Sequence, residues 1–134
     1  MGADFEYEKA LHETIKNLNP EDVIKFLGPK NYEGMPKIYG EHDLLIHTSK
    51  TGSVDKVVLE ALACGTPVIS SSEAFHDLPE YLRFKENDVE DLASKIINFT
   101  QVKPDISKLT ELVRSQSNLD TLIKKISNFL NSAF

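Results

Sequence analysis

One stretch constrains the fold more than any other: Asp43 to Ser71, DLLIHTSKTGSVDKVVLEALACGTPVISS. Asp43–His47 is a short apolar run, which predicts a buried strand. Thr48–Ser53 is a run of small polar residues with one Lys and one Gly, which predicts a loop. Val54–Cys64 then places Val54, Val57, Val58, Ala61 and Leu62 on one helical face. Ser53 has the chemistry of an N-cap, and Gly65 stands where a C-cap glycine belongs. Thr66-Pro67 ends the helix and Pro67-Val68-Ile69 opens a second buried strand. A βαβ unit with so short a crossover implies parallel strands and a right-handed connection.

The chemistry of such a unit lies beyond the carboxyl ends of its strands. That edge carries Thr48, Ser49, Gly52 and Ser53, followed at once by a helix N-terminus. Free backbone N–H groups and the helix dipole favour a phosphate or other anion there. Gly52 allows close approach of the backbone. Asp55 suits the dipole but opposes a bound anion. Glu60 lies seven residues beyond Ser53, about two turns along the helix. On spacing alone the plainer reading stays open, in which Ser53 only caps and Glu60 only faces water. His42 and His47 flank the first strand, and a His at a strand's carboxyl end is either a site residue or one packed at the sheet edge. No acidic or thiol residues are spaced with them as metal ligands. Neither a G-x-S-x-G elbow nor a G-x-x-x-x-G-K-[ST] loop is present.

The segment Leu59-Glu60-Ala61-Leu62-Ala63-Cys64-Gly65-Thr66-Pro67-Val68-Ile69 resembles the donor-site segment of family 4 retaining glycosyltransferases with the GT-B fold. Val23–Gly28 and Met35–Tyr39 resemble the strand and helix that precede it in that family. The resemblance implies that Glu60, the second Glu of the E-x7-E pattern, binds the ribose hydroxyls of a nucleoside-diphosphate sugar. It implies that the backbone of Gly52, Ser53 and Val54 holds the diphosphate and sugar, with Ser49 and Thr51 beside them. The backbone near Lys30 would meet the base. The first Glu of the pattern falls at Gly52, so Asp55 is the one weak candidate for a catalytic carboxylate. Beyond the donor substrate the family requires no cofactor and no metal. By this likeness the single domain, residues 1–134, is an incomplete GT-B C-terminal domain lacking its first two strands and the acceptor domain. Alone it is expected to be inactive. The gap between Val23–Leu27 and Asp43–His47 is expected either to close by direct pairing of those two strands or to be filled by an N-terminal subunit or self-association, ahead of a third outcome in which Asp4–Gly28 is poorly ordered. The alternative is a non-catalytic nucleotide- or protein-binding module, or a truncated fragment.

Composition narrows the classes. A length of 134 residues supports one domain with a core, and a net charge of −6 argues against a nucleic-acid partner. No run is long and apolar enough for a membrane span. Asp4, Glu6 and Glu8 stand where a signal peptide needs an apolar core, so a cytoplasmic protein is expected. Cys64, the single cysteine, reads as a small buried apolar residue.

The remaining chain alternates elements. Asp4–Leu18 predicts a helix with Ala10, Leu11, Ile15 and Leu18 in a stripe and His12 on the solvated side. Asn19–Asp22 is a turn, Val23–Leu27 a strand, and Asn31–Gly40 a short helix. Glu73 and His76 belong to a carboxyl-end loop that either touches ligand or is simply exposed. Asp77 caps a short helix through Tyr81, and Leu82–Phe84 is a short strand. Asp88, Asp105 and Asn118 cap three amphipathic helices, of which the last runs through Leu130. The predicted fold is α/β: a Rossmann-like three-layer arrangement with about four parallel strands.

Overall fold

The computed structural model describes residues 2–18, 23–50, 52–102 and 104–117. They divide into two compact units between Tyr32 and Glu33.

The first unit holds helix α1, Gly2–Leu18. His12 keeps company with Glu8, 4.0 Å away, and its ring centroid lies 4.1 Å from that of Phe26. Val23–Leu27 is irregular, not the expected strand. A strand is held by its ladder, and the first unit offers no second strand among its described residues; β-rich composition alone does not hold one. The expected turn over residues 19–22 lies outside the described residues, as does the helix from Leu119 to Leu130.

The second unit is the α/β body. A 3-10 turn, Tyr32–Gly34, leads into α2, Met35–Gly40, with Pro36 in its first turn where a missing N–H costs nothing. Then come β1, Leu45–His47, α3, Lys56–Ala63, and β2, Val68–Ser70. The two strands pair in parallel, with Leu45, Ile46 and His47 opposite Val68, Ile69 and Ser70. The sheet has two strands among the described residues, not about four. At Leu82–Phe84 the expected strand reduces to one parallel bridge, Ser70 to Arg83, secured by the Phe84 N–H on the Ser70 carbonyl. Pro79 and the 3-10 turn Glu80–Leu82 bury Leu82 and use up the residues a strand would need. That turn also replaces the helix expected from Asp77 to Tyr81. Helices α4, Val89–Gln101, and α5, Ile106–Ser117, complete the unit.

Burial follows the helical period. Val58, Ala61 and Leu62 of α3 are buried against Val68 and Ile69 of β2, with Tyr39, Phe75, Leu78, Leu82, Leu109 and Val113 around them. α3 is shorter than its apolar pattern suggests. Val54 lies before its first turn and is 58% exposed, and Val57 is exposed as well. Asp55, not Ser53, occupies the N-cap position.

The helix ends as its sequence predicts. Gly65 takes φ +83°; its N–H donates to the Leu62 carbonyl and that of Thr66 to the Ala61 carbonyl, a Schellman motif. The motif leaves Cys64 at the turn with its side chain exposed, which corrects the expectation of a buried thiol. Thr66 goes inside instead, and its hydroxyl donates to the Tyr39 carbonyl at 2.6 Å.

Candidate functional site

Parallel pairing brings His47 and Ser70, the last residues of the two strands, level at one edge of the sheet. The loop from Thr48 to Asp55 leaves this edge and enters α3. His47 is 6% exposed and both ring nitrogens are engaged: Nδ1 lies 2.9 Å from Ser70 Oγ, and Nε2 lies 2.8 Å from Asp55 Oδ2. The Ser70 hydroxyl also accepts the Ser72 N–H at 3.1 Å. The network closes with the proton on Nε2, donating to the carboxylate, and with Nδ1 accepting from the Ser70 hydroxyl. Phe75 meets the imidazole edge-on, with ring centroids 5.7 Å apart at 89°. Of the two readings open for His47, it is packed at the sheet edge and is also wired to the loop.

Asp55 is the anchor of that loop. The Ser53 hydroxyl donates to its Oδ1 at 3.1 Å. The Ser49 hydroxyl, followed by His47, holds its carboxyl below the ordinary 3.8, against a smaller upward effect of desolvation. Hydrogen bonds to the charged form produce that direction. Gly52 has φ +65° and open space where a Cβ would stand, so the loop needs glycine there for its backbone turn. Lys50 leans away, its Nζ donating to Asn87 Oδ1 at 2.7 Å with Glu86 3.5 Å off.

Glu60 is half-buried on the second turn of α3, and the Tyr39 hydroxyl donates to its Oε2 at 3.1 Å. A carboxylate held by one donor keeps acceptor capacity for further hydroxyl groups. Beyond β2, Ser71, Ser72 and Glu73 line a polar cleft of about 580 Å³ together with Arg83, Lys85 and Lys95. That volume falls within the range of small-ligand sites.

The candidates predicted from sequence therefore separate. Ser49 and Ser53 are both hydrogen-bonded to Asp55, while Gly52 and Val54 are exposed loop residues. Thr51 lies outside the described residues. Lys30 is an exposed residue of the first unit. His42 is occupied locally, with Nδ1 2.6 Å from the Ile38 carbonyl oxygen. His76 is exposed against Asp77, and Glu73 opens a 3-10 turn capped by Ser72. Among the described residues no group of three or more His, Cys, Asp or Glu converges as a metal site requires, and no helix is long and apolar enough to cross a membrane. Sequence reasoning missed Ser70 as the partner of His47. The available signal was that both apolar runs end on a polar residue, which parallel pairing then sets side by side.

Comparison with known proteins gives a consistent answer. Residues 1–116 match the family described as glycosyl transferases group 1. D-inositol 3-phosphate glycosyltransferase of Saccharomonospora viridis is 33% identical over 70 residues, which are 52% of this chain and 16% of that protein. The enzymes of the same name from Salinispora arenicola and Salinispora tropica are 34% and 35% identical over 71 residues, 53% of this chain and 16% and 15% of theirs. The aligned part thus spans about one-sixth of these relatives. No solved structure matches the chain.

Proposed function

The chain belongs to the glycosyl transferases group 1 family, and on that premise we propose that its second unit binds the nucleoside-diphosphate sugar donor of a retaining, GT-B-type glycosyl transfer. The observation that carries this reading is the Thr48–Asp55 loop, which joins the carboxyl end of β1 to α3, with half-buried Glu60 on the same helix. Backbone N–H groups of Gly52, Ser53 and Val54 take the diphosphate, and amides preorganised in this way stabilise charge on a leaving group. Glu60, oriented by Tyr39, accepts from the ribose hydroxyls. The inositol 3-phosphate in the relatives' names supplies an acceptor class to try, a phosphorylated polyol.

Titration with UDP, GDP and ADP tests the donor reading. At least one should bind, and Glu60→Ala should weaken it by roughly 1.5–3 kcal/mol, about 10- to 150-fold. Unchanged affinity in Glu60→Ala, or no binding by the wild type, rejects it. Gly52 favours a second reading, binding without transfer, because it occupies the place of the family's first Glu. Acceptor-dependent release of nucleoside diphosphate by the purified chain would reject that second reading.

A further inference from the structure

We propose that His47 is a positioning residue: it holds the Asp55 carboxylate at the end of β1, keeps it from capping α3, and so leaves the Val57 N–H to the diphosphate held by the Gly52–Val54 amides, the Val58 N–H being taken by the Asp55 backbone carbonyl at 3.1 Å. The inference rests on the reading of the loop as the donor site.

Asp55 occupies the N-cap position of α3 with φ −75° and ψ 125°, the extended backbone of a capping residue, yet its side chain makes no capping bond. Asp88 occupies the same position of α4 and does cap, with its Oδ1 accepting the Asp91 N–H at 2.9 Å. Ser72 caps its own short turn as well. The difference at Asp55 lies in what surrounds the carboxylate. His47 Nε2 takes Oδ2, the Ser53 hydroxyl takes Oδ1, and Ser49 adds a third donor. His47 does not yield, because it is buried, bonded to Ser70 through Nδ1 and edge-on to Phe75. Ser70 is in turn held by the Ser72 N–H.

The carboxylate therefore has two stations, one on His47 and one on the helix. At the second it would take the Val57 N–H from a bound diphosphate and repel it. His47 fixes the first station from a rigid strand end, whatever ligand is present.

Amide hydrogen exchange on the full chain reads the switch without a ligand. In the wild type the Val57 amide exchanges faster, relative to its intrinsic rate, than the capped Asp91 amide. His47→Asn is too short to reach Asp55, and His47→Leu cannot donate. In both, the released carboxylate caps α3 and slows exchange at Val57 by about fivefold. Binding of whichever of UDP, GDP or ADP the wild type takes weakens by a similar factor. His47→Gln, whose amide reaches the place of Nε2, restores both readouts, which a merely structural role for the imidazole would not. In an Asp55→Ala background His47→Asn changes neither. Protection of Val57 in the wild type equal to that of Asp91, or a His47 effect that persists without Asp55, overturns the proposal. Failure of the wild type to bind any of the three nucleotides overturns the donor reading instead, and the exchange measurements still decide the role of His47.

Discussion

At Asp55 two demands meet: the helix it precedes offers N–H groups, and the strand end beside it offers an imidazole. The Ser49 hydroxyl, the imidazole and the Ser53 hydroxyl together hold the carboxylate, and its carboxyl lies below the ordinary range as a result. Linkage gives the sign. A group whose folded pKa is depressed contributes stability that is fully present above its unfolded value and is lost as pH falls through the folded one. Between about pH 5 and about pH 2.5 the urea midpoint of the wild type should therefore fall further than that of Asp55→Asn, which has no such carboxyl to titrate. Parallel pH profiles would show that Asp55 adds nothing through its ionised form. At this scale the sequence was partly legible. The carboxyl-end placement of His47 and the loop position of Asp55 followed from strand, loop and helix order. Their bond did not, because it depends on a rotamer, and Ser70 required the strand register.

α3 shows which parts of an element a sequence dictates. Its buried face and its stop were readable from Val58, Ala61, Leu62 and Gly65, since period and backbone conformation are local properties. Its start was not. Ser53 looked like the cap, but Asp55 takes that position, and Val54 stays in the loop. The caps at Asp88 and Asp105 were legible for the same local reason, with Lys108 N–H on Asp105 Oδ1 at 3.4 Å. Val23–Leu27 and Leu82–Phe84 were not, because strand formation is decided by a partner that composition does not name. Gly65 supplies the prediction at this scale. A Cβ there would meet only Ile106 Cγ2 at 3.6 Å, an ordinary contact, so the penalty for Gly65→Ala comes from φ +83°. It should cost about 1–2 kcal/mol, read as a lower urea midpoint, with Gly65→Asn losing less. An unchanged midpoint in Gly65→Ala would show that the turn relaxes at no cost.

For the molecule as a whole, the side of β1 away from β2 carries the largest consequence. Leu45 and His47 turn their backbone groups to β2, through Leu45 N–H on the Pro67 carbonyl and Ser71 N–H on the His47 carbonyl. In a parallel ladder the intervening residue then points its N–H and C=O to the opposite edge. That residue is Ile46, 42% exposed, and no second strand pairs with β1 among the described residues. Parallel strands occur almost only where neighbours and helices cover them, and an open apolar edge is a template for pairing with another chain. We therefore expect the purified chain to self-associate at micromolar concentration, with a separate strand-donating subunit able to compete for the same edge. Light scattering against concentration should show the mass rising, and Ile46→Lys should return it to that of a monomer by placing a charge at the contact. The Ile46 amide should exchange slowly in the associated form. A wild-type chain that stays monomeric across that range, with an Ile46 amide exchanging at its intrinsic rate, would show that this edge is content with water and that the two-stranded ladder stands without a partner.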